Sequence, residues 1–376
     1  MSTLDQVITR EACSRFTAPL EQAWTLPPAA YREASIFAAE VEHIFNKEWV
    51  CVARTDQLPN PGDYTCVDLV KQPIVVARDM TGQLHAMSTI CLHRAMPVVE
   101  GSGNGTRFRC PYHHWTYELN GSLRSAPMME GVDGFNAADC SLPKLRLEEW
   151  HGFIFVNMYP DAAPLAEQLQ GLEALTKDYE FENLAVVETI EFDSPWNWKI
   201  LVENFMEAYH HIGPHKNTFE PIYPARDSIV EDNQGAPWSF LRMPGVPHSE
   251  GQISSFPNLP DERRDELFAA AVFPTFLFAA SNESGAWYQL EPTAQNRMRL
   301  RIHALMHKDF IPHVDEDARQ TIRSTLTTIH MEDITVNAGP WLGLQAPMTT
   351  QGRLSLYEKA IWQLNQYWAG RLGLKA

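Results

Sequence analysis

The chain has 376 residues, 44% hydrophobic and 20% charged, and a formal net charge of −17. That length supports two domains with a core each, and the composition is that of an ordinary globular protein, not a disordered or fibrous one. The acidic balance argues against nucleic acid and anionic membrane as partners, and the longest apolar stretch, Leu267 to Ala280, is broken by Pro274 and falls short of the roughly 20 residues of a membrane span.

The first residues include Asp5, Arg10 and Glu11 without an apolar run, which gives no signal-peptide pattern and an expected cytoplasmic location. Ile36, Ala39, Val41, Ile44 and Phe45 predict an amphipathic helix over 34–48, leading into Trp49. From 49 to about 157 the pattern is short β segments, among them Trp49–Ala53, Asp63–Leu69, Ile74–Arg78 and Phe153–Asn157, with Pro61-Gly62, Thr81-Gly82 and Asn120-Gly121 as turns. A polar helix over Pro164–Tyr179, a strand over 184–192 and a long helix over Trp196–His211 follow. Residues 225–262, rich in Pro, Gly, Ser and Asp, lack periodicity and read as a candidate lid. Strands are predicted at 272–280, 285–291 and 297–306, and helices at 314–336 and 355–372. The expected organisation is an α+β chain: an N-terminal helical segment over 1–47 packing on the last domain, an all-β domain over 48–158, and a mixed domain of helices and strands over 159–376.

Two short stretches inside the β domain carry the first chemistry, Cys91-Leu92-His93 and Cys110-Pro111-Tyr112-His113, with 16 residues between His93 and Cys110. One Cys and one His on each arm is the ligand order of a Rieske [2Fe–2S] cluster, with Cys91 and Cys110 on one iron and His93 and His113 on the other. A structural zinc site uses the same residue types, but zinc fingers group the two Cys together and the two His together. Cys13, Cys51, Cys66 and Cys140 show no pairing pattern and read as free thiols of a reducing compartment.

The second stretch runs Glu207-Ala208-Tyr209-His210-His211-Ile212-Gly213-Pro214-His215. Glu207 and His210 are three apart and share a helical face. His210 and His215 would diverge on a continuous helix, but Pro214 disfavours a helical Gly213, so the chain can turn His215 back. His211 and His215, four apart, are the competing pair. Two imidazoles and one carboxylate make the facial triad of a non-haem Fe(II) site, which keeps positions open for O2.

Cys91 to Arg94, Phe108 to Tyr117 and Asn204 to His215 resemble the motifs of the large (α) subunit of the Rieske non-haem iron oxygenases, a resemblance that covers residue 35 or so to the C-terminus. Rieske proteins of respiratory complexes carry two extra cysteines; the matching places here hold Met96 and Tyr112. The resemblance implies an all-β Rieske domain and a helix-grip catalytic domain, an antiparallel sheet around a helix. It implies a mononuclear non-haem Fe(II) held by His210, His215 and Asp333, with Glu332 as the other candidate carboxylate. Asn337-Ala338-Gly339-Pro340-Trp341-Leu342-Gly343 stands where the family usually has a Gln-Gly pair.

The same resemblance implies a head-to-tail homotrimer in which Glu207 bridges His210 and His113 of the partner subunit. Most members have Asp at that place, and Glu is similar to the subgroup that oxidises carnitine, glycine betaine and related quaternary ammonium compounds. The implied activity uses O2 and NAD(P)H-derived electrons, brought by a separate flavin/iron–sulfur reductase, to hydroxylate a C–H bond of a small betaine-like substrate or to N-demethylate it. Two other readings stay open: an oxygenase of aromatic acids, and an electron-transfer protein with an inactive catalytic domain. A quaternary ammonium needs aromatic faces, for which Phe205, Tyr209, Trp238, Phe273, Phe276, Phe278, Trp287 and Tyr288 are candidates, and one of Arg297, Arg299 and Arg301 could receive a substrate carboxylate.

Overall fold

The computed structural model describes residues 3–247, 256 and 258–375, so residues 248–255 and 257 of the candidate lid lie outside the described residues. The chain divides into two compact units, Asn46–Ala162 and a second made of Met1–Phe45 with Ala163–Ala376.

The first unit is all β. Its strands are β1 (Val50–Arg54), β2 (Asp63–Leu69), β3 (Gln72–Arg78), β4 (Leu84–Ser88), β5 (Ser102–Asn104), β6 (Arg107–Arg109), β7 (Thr116–Glu118), β8 (Leu123–Ser125), β9 (Arg146–Trp150) and β10 (Phe153–Asn157). They form three antiparallel sheets, ordered β1-β10-β9, β4-β3-β2-β5 and β6-β7-β8. Side chains of a strand alternate between its faces, and β3 uses both. Ile74 and Val76 enter one core with Val50, Val52, Ile154 and Val156. Val75 and Ala77 enter another with Met87, Phe108, Trp115 and Tyr117. Burial on both faces is why Ile74 to Ala77 reads as a continuous apolar run. The β3–β4 turn is set by Asp79, whose carboxylate accepts the backbone N–H of Thr81 at 2.8 Å and of Gln83 at 3.0 Å.

The second unit is built on one seven-stranded antiparallel sheet. Its strands are β11 (Leu184–Ser194), β12 (Ile229–Val230), β13 (Trp238–Pro244), β14 (Glu266–Val272), β15 (Phe276–Ala280), β16 (Gly285–Ala294) and β17 (Arg297–His307). The order is β11-β17-β16-β15-β14-β13-β12, a meander closed at one edge by β11. The helices used below are α1 (Ala34–Glu40), α2 (Leu165–Thr176), α3 (Trp198–Phe205), α4 (Glu316–Leu344) and α5 (Lys359–Arg371). The long α4 packs on α3 and on β11.

Helix α3 carries the chain to the second motif, and three devices place it. The Asn197 side chain caps it by accepting from Lys199 N–H, while its amide donates to the carbonyls of Tyr31 and Gln295. Lys199 is fully buried and ion-pairs with the equally buried Glu40 at the end of α1. Glu40 also accepts the indole N–H of Trp198 at 3.0 Å and of Trp368 at 2.7 Å. One carboxylate thus ties α1, α3 and α5, and its charge is tolerable there because it is paired and fully hydrogen-bonded.

Several boundaries differ from expectation for definable reasons. The helix expected over 34–48 becomes α1 and one π-helical turn over Val41–Phe45. The helix expected to reach His211 ends at Phe205, and a 3-10 turn over Tyr209–Ile212 carries His210 and His211. The strand expected over 272–280 holds a hairpin turn instead: β14 and β15 pair antiparallel, Val272 opposite Phe276, and residues 273–275, with Pro274 at their centre, reverse the chain. Part of the candidate lid is sheet, since β12 and β13 lie within 225–262. The helix expected to end near 336 runs to Leu344 through Pro340.

Candidate metal centres

The loops that carry Cys91 and Cys110 are backbone copies of one another. In each, the Cys N–H donates to the carbonyl five residues on, Met96 at 2.9 Å and Trp115 at 2.8 Å. In each, the Cys carbonyl accepts from the N–H four residues on, Ala95 at 3.1 Å and His114 at 3.0 Å. Both fourth residues are left-handed, Ala95 at φ 54° and His114 at φ 60°. Non-glycine residues in that region carry strain that clusters at functional sites. Both cysteines are buried, whereas His93 is exposed and His113 half-buried.

The two imidazoles face each other, with Nδ1 of His93 and Nδ1 of His113 3.1 Å apart. His93 lies flat on Trp115 at 5.0 Å between ring centroids, which fixes its plane. Desolvation, followed by the neighbouring His93, Arg94 and His114, lowers the pKa of His113 and favours its neutral, ligating form. Two buried thiols and two converging imidazole nitrogens fit the donor set of a Rieske cluster. Tyr117 supports it: its hydroxyl lies 3.3 Å from the Cys91 sulfur and accepts the Leu92 N–H at 3.2 Å.

In the second unit Glu207, His210, His215 and Asp333 meet. The Gly213 N–H donates to the His210 carbonyl at 2.8 Å, and the chain turns there, bringing the two rings to 5.1 Å between centroids. The Glu207 carboxylate accepts His210 twice, from the backbone N–H at 2.9 Å and from Nδ1 at 2.8 Å. The His215 Nδ1 donates to Glu332 at 2.7 Å, and Glu332 is itself held by the Thr218 hydroxyl at 2.9 Å. With both Nδ1 atoms committed to carboxylates, both Nε2 atoms turn to one oxygen: Asp333 Oδ1 lies 3.6 Å from His210 Nε2 and 2.9 Å from His215 Nε2.

An imidazole lone pair facing a carboxylate oxygen needs a cation between them, a proton or a metal ion. Burial lowers the pKa of His215, but Asp333 and Glu332 outweigh it and raise the net value. Ligand atoms of His210, His215 and Asp333 all lie within 4.8 Å of one another, and the donor set fits Fe(II) with positions left open. His211 is different. Burial, with the charge of His210 next, lowers its pKa to about 4, and its Nδ1 donates to the Tyr223 carbonyl at 3.1 Å.

The triad opens onto a cavity of about 640 Å³, of a size suited to a small organic ligand. Phe205 and Tyr288, paired at 4.8 Å between centroids, and Phe219 are its aromatic lining. The Tyr288 hydroxyl is held neutral by burial, with Asp333 adding to the effect.

The family model of the ring hydroxylating alpha subunit (catalytic domain) matches residues 181–374, more than half of the chain. The chain belongs to that family. The Rieske [2Fe-2S] domain model matches residues 48–136, so the expected pairing of an all-β Rieske domain with an antiparallel sheet-and-helix catalytic domain holds. The carnitine monooxygenase oxygenase subunit of Escherichia coli (strain K12) is 35% identical over 52% of this chain and 53% of its own length. The glycine betaine monooxygenase oxygenase subunit of Pseudomonas aeruginosa (strain UCBPP-PA14) is 30% identical over 65% of this chain and 58% of its own. The matched region thus spans little more than half the length of these curated relatives. A crystal structure of a quaternary ammonium Rieske monooxygenase shares the fold, at a TM-score of 0.81 and 24% identity over 95% of this chain and 98% of the other.

Within this ring-hydroxylating alpha subunit, the motif residues converge as the sequence groups them, Cys91, His93, Cys110 and His113 in one unit and Glu207, His210, His215 and Asp333 in the other. The aromatic candidates divide. Phe205 and Tyr288 line the cavity, while Trp238, Phe273, Phe276, Phe278 and Trp287 are buried in the fold outside its lining and Tyr209 is exposed. Phe219 was missed: its ring lies 5.1 Å from that of His215 between centroids, but the chain between them is a run of turns with no period to read. Arg297, Arg299 and Arg301 are committed elsewhere, to Asp193 and to Glu191 and Glu291. No described helix is long and apolar enough to cross a membrane.

Proposed function

We propose that this chain is the oxygenase component of a Rieske-type monooxygenase that removes an N-methyl group from a quaternary ammonium substrate. The observation that carries the reading is the shared Asp333 oxygen facing two Nε2 atoms whose Nδ1 partners are both acids, at the wall of a ligand-sized cavity. His210, His215 and Asp333 hold the mononuclear iron, and Cys91, Cys110, His93 and His113 hold the [2Fe–2S] cluster. Bound in these places, the iron supplies O2 activation and the cluster supplies single electrons. Electrons come from NAD(P)H through a separate flavin/iron–sulfur reductase, and the chain works as a cytoplasmic homotrimer in which His113 of the partner subunit reaches Glu207.

The residues of the chain do the rest. Glu207 and Glu332 fix each imidazole in the tautomer that offers Nε2 to the metal, as outer carboxylates do in metal sites. Glu207 accepts a hydrogen bond from His210 and, in the trimer, would accept one from His113 of the partner subunit. Phe205, Tyr288 and Phe219 line the cavity with aromatic rings, which attract a cation that has no hydrogen to donate. In the overall change one oxygen atom enters an N-methyl C–H bond, and the other leaves as water with two electrons and two protons. The hydroxymethyl product then breaks its C–N bond to give formaldehyde, a tertiary amine and a proton.

The test is formaldehyde release by iron-loaded protein with a reductase and NADH, on glycine betaine, carnitine and simple alkyltrimethylammonium ions set beside benzoates. Formaldehyde coupled to NADH oxidation supports the reading. Product from benzoates alone overturns it in favour of an aromatic-acid oxygenase.

A further inference from the structure

A second, smaller cavity of about 300 Å³ adjoins the metal site. Asn204, Glu207 and His210 line both this chamber and the larger cavity, so the three side chains are a wall common to the two. The rest of the chamber comes from Val336 and Pro340 of α4, from Tyr31, and from Glu203 and Glu358. All of these belong to the second unit. Glu358 stands next in sequence to the exposed Leu356 and Tyr357, which makes its end of the chamber the outer one. The polar lining and the volume suit several water molecules.

Two of the chamber's acids have structural duties. Glu207 accepts His210, and Glu358 accepts the Ser355 N–H in a capping box. Glu203 accepts the Tyr31 hydroxyl at 2.6 Å through Oε1, which leaves Oε2 to carry a proton. The ionisable groups around it are Tyr31, Lys199 one turn back on α3 and ion-paired to Glu40, Glu358 from the turn before α5, and Glu207 and His210 at the common wall. Burial outweighs Tyr31 and Lys199, and Glu358 reinforces burial, so the carboxyl keeps its proton up to about pH 7. Such a group takes up and releases a proton within the working range of an enzyme.

We propose that this chamber is the proton entrance of the oxygenase and that Glu203 is its proton store. Insertion of one oxygen atom of O2 into a C–H bond, with the other leaving as water, consumes two electrons and two protons. Glu203 gives its Oε2 proton to water in the chamber, and the proton passes the common wall beside Asn204. The carboxylate left behind is reprotonated from solvent at the Glu358 end, so two such cycles serve one turnover. This role rests on the oxygenase function proposed above but not on the identity of the substrate, since hydroxylation of any C–H bond by O2 needs the same protons.

The experiment uses the full, iron- and cluster-loaded protein with a reductase and NADH, on the panel of ammonium ions and benzoates named above. Product and oxygen uptake are followed across neutral pH. In the parent the rate should fall as pH rises through the range around 7 in which Glu203 loses its proton. Glu203→Gln, whose amide still accepts from Tyr31, should lower the rate at least about ten-fold and abolish that fall, with KM, iron content and the Rieske spectrum kept. Tyr31→Phe removes a donor that favours the ionised carboxyl, so the falling limb should move to higher pH. Infrared difference spectra, taken without turnover, should show a carboxyl band that titrates in the same range and is lost in Glu203→Gln. A Glu203→Gln protein with the parent's rate and pH limb overturns the proposal. Loss of iron or of the Rieske spectrum in that variant, or a limb that Tyr31→Phe leaves in place, makes Glu203 a structural residue and overturns it as well. Product from benzoates alone overturns the N-demethylating function, and the proton entrance is then judged on the benzoate. With no product from any probe it is judged on oxygen uptake, because reduction of O2 to hydrogen peroxide also takes two protons.

Discussion

The carboxylate of Glu207 holds His210 at two points, accepting its backbone N–H at 2.9 Å and its Nδ1 at 2.8 Å. A single side chain therefore sets both the turn after α3 and the tautomer of the ring. Glu207→Ala removes both bonds and frees the ring to rotate, so iron affinity should fall about 10- to 100-fold. Glu207→Gln keeps an acceptor for one bond and should lose less. Iron titration followed by metal analysis separates the two, and an Ala variant that binds iron like the parent would show that His210 is oriented by something else.

Glu332 and Asp333 sit on opposite sides of the His215 ring, the first 2.7 Å from Nδ1 and the second 2.9 Å from Nε2. Only the second shares the side that His210 Nε2 also faces. Asp333→Ala should abolish stable iron binding, whereas Glu332→Gln should weaken it about ten-fold and leave the Rieske spectrum intact. If the two variants changed places in that ranking, Glu332 would be the ligand and Asp333 the support.

Much of this was legible in the residues, and what was not has physical causes. The cluster loops announce themselves because thiolate and imidazole at fixed spacing have few other uses, and β3 because Ile74 to Ala77 fills two cores at once. Glu207, His210 and His215 were assigned from their resemblance to the iron motif of the oxygenases, and the assignment does not depend on the helix assumed for them, which stops at Phe205; the two bonds from His210 to the Glu207 carboxylate keep those residues together. The choice between Glu332 and Asp333 was not legible, since neighbouring residues on a helix differ only in direction, and direction depends on how α4 packs against α3. β12 was hidden because two residues carry no period, and the true end of α4 because Pro340 reads as a stop. The lining of the cavity was hidden because it draws on several strands and on α4, which no local pattern joins.

Tyr117 is the hydrogen-bond partner of the Cys91 sulfur at 3.3 Å. Donation to a cluster sulfur favours the reduced, more negative state and raises the potential. Tyr117→Phe should assemble the cluster yet lower its midpoint by roughly 50 mV, the worth of one hydrogen bond of about 1 kcal/mol in a one-electron couple. A redox titration followed by electron paramagnetic resonance reads the midpoint, and an unchanged value would remove Tyr117 from the tuning of the cluster.

Lys199 and Glu40 are both fully buried, and Glu40 also holds two indole N–H groups. Lys199→Met strips the cation and leaves a buried carboxylate with neutral partners only, which should destabilise the second unit by about 3–5 kcal/mol. Adding Glu40→Gln should recover part of that loss, because the amide oxygen still accepts an indole N–H without a charge to bury. Chemical denaturation of the single and double variants measures it. A double variant weaker than Lys199→Met alone would mean that the charge of Glu40 is stabilised by the helices around it.

Glu203 should make stability depend on pH. Its carboxyl accepts the Tyr31 hydroxyl at 2.6 Å and lines a small cavity with Glu207 and Glu358. Burial pushes its pKa up from 4.5 to about 7, against the pull of Tyr31 and Lys199, with Glu358 adding to the rise. Between those two pH values the folded protein keeps a proton that the unfolded chain has lost, so stability falls as pH rises through that window and levels off above it. Glu203→Gln cannot lose that proton and keeps an acceptor for Tyr31. It should match the parent near pH 4.5 and exceed it above pH 7 by on the order of 2 kcal/mol, since a tenfold change in proton affinity is worth about 1.4 kcal/mol and the carboxyl borders a cavity. Denaturant midpoints across that pH range decide the matter, and a constant difference between the two proteins would place the pH dependence on another group.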